Sequence, residues 1–425
     1  MQTKYIPAYL LTFVNVLGFT LIMPVLPFVV EQYGGSKVMY GFLLSAYSFF
    51  QFLGAPWLGR LSDSVGRKPV LLISQAGTLL SWFVFGAAWF LPQVSLGLMV
   101  LPLGVIALSR VLDGVTGGNT AVTQAYVSDI SSHNEKSVIF GTIGGIVGIG
   151  MIAGPGIGGY IGAGPLGYLG VAICGAVISL ITLATIQIWL KESLPADVRK
   201  PLQSQPLMES FRLFKRIRRL DPGRAVIQLF MVRGLFSAMM AAYVSTIPLY
   251  MIDLFKFDAR QLGLFMMVVG LFIAFNNAVV SKWFVRKFGE IPTLRMGLIL
   301  CAAGLFAITL TDVLWLYFAC YFVLNLGVSL SIPTVNALIA QRARPQDMGE
   351  VMGIGYSLVS LSNACLPIIA ATVYGVLGGR LYHVVAVLPL FGFLVAWRLR
   401  PAAPVKDVED RSSATVIVDP DRPTL

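Results

Sequence analysis

Arg110 and Asp113 stand three residues apart in a stretch that is otherwise almost wholly apolar. On a helix that spacing lets a guanidinium and a carboxylate meet. A charge at membrane depth is costly and faces a cavity, a partner or an ion path. At about 100° per residue, Asp113, Gly117, Thr120 and Gln124 form one stripe, which is expected to face a central cavity. Asp113 is the one carboxylate that falls well inside a hydrocarbon-length segment. Burial and the adjacent arginine pull on its proton in opposite senses, so it can titrate when access changes. Two roles stay open: a proton carrier tuned by Arg110, or a permanent ion pair that holds helices together.

Other polar residues in apolar segments are weaker candidates for the cavity wall. They are Asn15, Arg233 with Ser237 one turn on, Asn325 and Asn336 with Ser329, and Tyr356 and Asn363 with Ser360 and Pro367. Interhelical hydrogen bonding is the other use of such groups. Two intramembrane arginines suit an anionic or zwitterionic substrate. No P-loop, G-x-S-x-G or H-E-x-x-H pattern occurs. The only histidines are His133 and His383, and the four cysteines (Cys174, Cys301, Cys320 and Cys365) all lie in apolar segments. The expectation is therefore no enzyme, no cofactor and no metal site.

The elements that position these residues follow from composition. Apolar residues make up 56% of the 425-residue chain and charged residues 12%. A soluble domain carries about 25% charged residues, so a polytopic membrane protein is the class left. A spanning helix needs about 20 apolar residues. Twelve segments qualify, near 6–30, 39–58, 70–92, 98–128, 138–163, 166–190, 225–252, 260–281, 294–311, 314–340, 350–377 and 381–398. The first is too long for the core of a signal peptide. With both ends cytoplasmic, 25 of the 31 Lys and Arg fall on the cytoplasmic side, four outside and two within helices. That bias is the positive-inside pattern. It also accounts for the net charge of +11 without nucleic acid. Residues 1–190 form a six-helix half, 191–224 a basic linker, 225–398 a second half and 399–425 a disordered tail. The linker's Phe211–Leu220 segment reads as an amphipathic surface helix or as a plain basic linker.

Four stretches resemble the motifs of one family. Gly59-Arg60-Leu61-Ser62-Asp63-Ser64-Val65-Gly66-Arg67-Lys68-Pro69, expected in the loop after the second segment, resembles the G-x-L-[AS]-D-x-x-G-R-[KR] signature of the major facilitator superfamily. Gly66-Arg67-Lys68-Pro69 has a weak echo, Gly289-Glu290-Ile291-Pro292, after the eighth segment. Arg110 to Asn119 resembles the family's R-x-x-x-G-x-x-x-G pattern, and Gln124 to Asp129 the end of the fourth helix in tetracycline-efflux-like members. Gly150, Gly154, Pro155, Gly158 and Gly159 match G-x-x-x-G-P-x-x-G-G, which resembles the antiporter motif. Asn15 to Pro27 resembles the first helix of the same efflux proteins, with Asn15 where tetracycline pumps usually carry an aspartate. An amide carries no proton, which shifts the coupling role toward Asp113.

The resemblance implies an all-α membrane protein: twelve transmembrane helices in the major facilitator fold of two pseudo-symmetric six-helix halves. It implies a secondary transporter of the drug:proton antiporter kind, a multi-pass monomer in a lipid bilayer, exchanging protons for a small amphipathic compound. It also implies a gate network of Gly59, Asp63, Gly66, Arg67, Lys68 and Asp129, with Asp63 latching to the eleventh helix near Glu350. The rival of the same fold moves an organic anion or metabolite without drug export. A non-transporting receptor or scaffold is the rival of another class.

Overall fold

The computed structural model describes all residues except 1–4, 96, 98, 133–134, 202–212, 221–222, 345–346 and 400–425. The described chain is helical: α1 (Ile6–Leu21), α2 (Leu26–Gln32), α3 (Lys37–Val65), α4 (Arg67–Ala87), α5 (Leu101–Thr116), α6 (Asn119–Ile130), α7 (Lys136–Gly162) and α8 (Gly167–Trp189). There follow α9 (Leu213–Leu220), α10 (Gly223–Phe255), α11 (Ala259–Phe275), α12 (Ser281–Phe288), α13 (Glu290–Ala307), α14 (Leu314–Arg342), α15 (Met348–Leu377) and α16 (Leu381–Trp397). Among the described residues, ten helices are long and apolar enough to cross a membrane. One of the ten, Met348–Trp397, runs through a single 3-10 turn and contains both α15 and α16. The fourth expected segment is split into α5 and α6 and so falls below the length of a span. The twelve expected segments thus all have helical counterparts.

The breaks have local causes. Pro24 and Pro27 lack backbone N–H groups, and the first segment interrupts between Leu21 and Leu26. The fourth interrupts at Gly117-Gly118, where two glycines weaken the helix. The eighth stays continuous through a π-helical turn at Asn276–Val280, which joins α11 to α12. The loop motif proves mostly helical. Residues 59–65 are the last turns of α3, 67–69 are the first turn of α4, and only Gly66, at φ +109°, breaks the path.

The outside of the bundle is apolar. Phe90, Trp315, Val376 and Ile188 stand largely exposed, as lipid-facing side chains do. Inside the second half, Tyr243, Tyr250, Tyr317, Tyr321 and Tyr382 pack ring on ring. The short basic helix α9 lies against α15, with Arg216 Nε 3.6 Å from Glu350 Oε1. The tail expectation for residues 400–425 lies outside the described residues. Leu399 itself is buried, and its carbonyl accepts from Arg295 Nη2.

The halves meet through α3 against α15 and α7 against α11. These contacts gather at one end of the bundle. There Lys37 Nζ lies 2.5 Å from Asp253 Oδ2, and the Tyr374 hydroxyl donates to the same oxygen at 2.9 Å. The backbone N–H of Ile368 donates to Ser45 Oγ at 3.0 Å. Gly159 lies against Ala259 and Gly263, and Gly156 against Met267. At the opposite, basic end, among the described residues, no neighbouring element lies within 4 Å of where a Cβ would stand on Gly59, Gly141, Gly144, Gly145 or Gly148. The bundle is sealed at one end and splayed at the other.

Candidate functional site

α5 carries the charged pair into the bundle. Arg110 is 2% exposed and Asp113 6%, and Arg110 Nη1 donates to Asp113 Oδ2 at 3.3 Å. The guanidinium also lies over Trp82 and Phe85 of α4, at 5.7 and 5.4 Å from the ring centroids. Its Nε and Nη2 are buried without a partner. One long hydrogen bond and two aromatic faces hold this arginine, so its guanidinium is sparsely partnered for a buried charge. Gly114 brings α5 against Tyr47 and Phe50 of α3, which explains a glycine in the R-x-x-x-G pattern.

Asp113 opens onto a cavity of about 250 Å³ that is also walled by Asn15, Gln51, Gln75, Thr78 and Gly117. Asn15 Nδ2 donates to Asn119 Oδ1 at 2.8 Å, tying α1 to α6. Gln51 Nε2 donates to the Tyr47 hydroxyl and to the Gly117 carbonyl, the group exposed by the helix break. A second cavity, of about 290 Å³, lies toward α10 and is walled by Arg233, Phe236, Ser237, Met240 and Met266. Both cavities are lined by Phe19, Ser48, Met151 and Asn363, so they are two chambers of one central space.

Sequence reasoning placed Asn15, Asp113, Arg233 and Asn363 on this wall, and they are there. Four others line neither chamber. Asn325 is 1% exposed and donates to the Tyr243 hydroxyl and the Tyr321 carbonyl, so it ties the tyrosine stack together. Gly117 and Thr120 of the expected stripe also line the Asp113 chamber, whereas Gln124, one turn further along α6, does not and is exposed. Asn336 follows Pro333 in α14 and is half-buried. Tyr356 is 64% exposed on α15. Gln51, Gln75 and Thr78 were missed because isolated amides and hydroxyls on separate helices carry no shared spacing.

The glycine motif of α7 works on two sides. Gly150, Gly154 and Gly158 lie against Val16, Thr20 and Leu21 of the first segment. Gly159 instead meets α11, where the Pro155 carbonyl lies against Gly263. α7 is thus wedged between its own half and the opposite one at the sealed end.

At the basic end, Arg67 joins the gate residues. Its Nη1 is 2.6 Å from Asp63 Oδ1, its Nε is 3.0 Å from Asp129 Oδ2, and Nη1 also donates to Ser62 Oγ. Gly66 and Lys68 flank it, and the Lys68 ammonium donates to the Gln187 carbonyl. The expected link from Asp63 to the start of α15 is absent among the described residues: Glu350 there pairs with Arg216, and Gly59 faces open space. That end is splayed, so the latch partners stand apart.

Glu192 is a further member that the sequence did not reveal. A cation at a helix N-terminus opposes the helix dipole, and Arg67 and Lys68 begin α4. The Glu192 carboxylate accepts from the backbone N–H groups of Arg67, Lys68, Ser193 and Leu194 at 2.9–3.1 Å. Partial burial works to raise its pKa, but these backbone donors outweigh burial and hold it below the usual carboxylate range. A depressed carboxyl gives its full stabilisation above the ordinary carboxylate range and loses it as pH falls through the folded value. We therefore expect the thermal midpoint of detergent-purified protein to drop as pH falls below that range. Glu192→Gln should lower the midpoint at neutral pH and flatten the acid slope; an unchanged slope would remove Glu192 from the account.

The comparisons with known proteins meet this geometry. The family model of the Major Facilitator Superfamily matches residues 8–365 and 283–420. The chain belongs to the major facilitator superfamily. Its relatives include the class G tetracycline resistance protein of Vibrio anguillarum, 29% identical over 89% of this chain and 92% of that one. The class B tetracycline resistance protein of Escherichia coli is 26% identical over 86% and 87%. Among solved structures, the human organic anion transporter MFSD10 superposes with a TM-score of 0.68 at 23% identity, over 92% of this chain and 98% of that one. The chain is a multi-pass major facilitator transporter, related at low identity to tetracycline resistance proteins.

Proposed function

We propose that this transporter is a proton-coupled antiporter that exports small amphipathic compounds by alternating access. The observation that carries the reading is Asp113. It is a buried carboxylate on the wall of the central space, with Arg110 Nη1 3.3 Å from its Oδ2. The bias of Lys and Arg makes the basic end cytoplasmic, so the splayed end faces inward and both termini lie inside.

In the cycle, the inward-open form takes substrate from the cytoplasm or the inner leaflet while Asp113 gives up its proton. The basic end then closes as Asp63, Arg67 and Asp129 come against the start of α15. The sealed end opens as the contacts at Lys37, Ser45 and Gly159 part. Substrate leaves, Asp113 takes a proton from outside, and the empty carrier returns. Arg110 occupies the carboxylate in its deprotonated state and is freed in its protonated state. The glycine-packed α7 keeps the route shut in between. One charge moving across 100 mV is worth about 2.3 kcal/mol, the drive available from each proton. The names of the tetracycline resistance proteins support a drug-like cargo, and that of MFSD10 an organic acid function on it. The protein works as a monomer, with both halves in one chain.

Everted membrane vesicles energised to an acid interior test this reading. A panel of lipophilic cations, zwitterions and organic anions is offered, and uptake is followed with and without nigericin, which collapses the pH gradient. Uptake of at least one compound that nigericin abolishes is expected. Uptake that survives nigericin, or none across the panel, contradicts antiport.

A further inference from the structure

Among the described residues, Arg233 is the one charge on the wall of the central space with no charged or hydrogen-bonding partner. It lies in α10 and is 8% exposed. Its guanidinium makes no hydrogen bond or ion pair among the described residues, and its Nε is buried without a partner. Arg110, by contrast, has Asp113, and Arg67 has Asp63 and Asp129. No carboxylate lines the chamber that Arg233 walls. Arginine does not shed its proton to escape such a setting, and an unpaired cation at membrane depth is destabilising. A site that keeps one is poised for an anion that arrives with the ligand. The guanidinium fork fits a carboxylate or sulfonate. The rest of that chamber is apolar and adaptable: Phe19, Phe236, Met240 and Met266 can follow a flat hydrophobic body.

Charge on the other side of the space sets the remaining chemistry. Asp113 lines the adjoining chamber, joined through Phe19, Ser48, Met151 and Asn363. A plain anion is repelled by the Asp113 carboxylate and binds best when that carboxyl holds a proton, so proton and anion travel together. Exchange needs the reverse. A ligand with a basic group competes with the proton for Asp113. We infer that the Arg233 chamber is the acid-group subsite of the transport site, and that the cargo is an amphipathic zwitterion. Its acid lies on Arg233, its apolar body on the Phe and Met wall, and its amine toward Asp113. The amine placement rests on the antiport reading; the acid subsite rests on Arg233 alone.

The test uses three fluorescent probes of one skeleton, titrated by fluorescence anisotropy into detergent-purified full-length protein: ciprofloxacin, its ethyl ester and its N-acetyl derivative. Ciprofloxacin carries both charges, the ester only the amine, and the N-acetyl form only the acid. The zwitterion is expected to bind about tenfold or more tighter than either single-charge probe, the size of one charge-assisted hydrogen bond. Arg233→Gln should weaken ciprofloxacin and the N-acetyl form about tenfold while leaving the ester within about twofold. The unchanged ester is the check on folding, and Arg233→Lys should restore part of the loss. Asp113→Asn should weaken the zwitterion and the ester and spare the N-acetyl form. Ciprofloxacin binding unchanged by Arg233→Gln overturns the subsite, as does no binding of any probe to wild type or equal losses for all three. The titrations need no proton gradient. Nigericin-insensitive uptake together with an Arg233-dependent acid affinity would remove antiport and keep the subsite. Nigericin-sensitive uptake indifferent to Arg233 would do the opposite.

Discussion

Asp113→Asn is expected to abolish uphill export while exchange of labelled for unlabelled substrate persists at substrate concentrations raised to offset its weaker binding. An asparagine fills the same space on the wall beside Gln51 and Thr78 and still accepts from Arg110 Nη1, so the fold should persist. It cannot carry a proton. At 100 mV, one lost proton removes about 2.3 kcal/mol of drive, which lowers the sustainable substrate gradient about 50-fold. Proteoliposomes loaded with a pH dye read the proton movement evoked by substrate, and counterflow of labelled substrate reads exchange. If the variant still pumps against a gradient, Asp113 belongs to the packing of α5 and the proposed cycle fails. If both activities vanish even at saturating substrate while the protein elutes normally, its role is in binding alone.

The second large effect separates two neighbouring glycines. A Cβ on Gly158 would run into the Leu21 backbone, within the same half of the molecule. A Cβ on Gly159 would run into the backbone of Ala259 and Gly263, across the interface between halves. Forced overpacking of this kind costs about 1–3 kcal/mol. Gly158→Val therefore weakens the fold itself and lowers the thermal midpoint. Gly159→Val leaves each half intact and penalises only the form in which the sealed end is shut. A penalty of about 2.8 kcal/mol is a hundredfold change in the ratio of the two conformations. Cysteine accessibility at the sealed end of α11, for example at Ala259→Cys, 7% exposed while that end is shut, should be higher in the Gly159→Val background than in wild type. Equal loss of stability in both valine variants would show that α7 is plain packing.

Much of this was legible in the sequence because membrane insertion imposes simple rules. Twelve apolar segments had to be helices, and they are. The family signature around Asp63 and Arg67 and the α5 charge pair were readable because they are contiguous. The breaks at 22–25 and 117–118 were not read as breaks, since hydropathy averages over them. The loop motif was expected in a loop, yet it forms helix on both sides of Gly66, because the bundle's packing extends α3 past its apolar stretch. Lys37 is one of the four basic residues counted outside. Its partner Asp253 is 216 residues away, and only the meeting of α3 with α10 joins them. Glu192 was hidden for the same reason: it answers backbone N–H groups, which no side-chain pattern reports. Asn325 was misassigned because a polar face on a helix looks alike whether it meets water or a tyrosine hydroxyl.

The central claim is that the two ends of the bundle open in turn, under control of the proton on Asp113. The most direct measurement is double electron–electron resonance on two labelled pairs in a cysteine-free background. Val138→Cys with Trp283→Cys spans α7 and α12 at the basic end; Ile157→Cys with Leu264→Cys spans α7 and α11 at the sealed end. The account predicts that acid pH moves the two distances in opposite senses: as one grows the other shrinks. It also predicts that Asp113→Asn holds at neutral pH the distribution that wild type reaches in acid. Distances that ignore pH, or that move in the same sense at both ends, would contradict it.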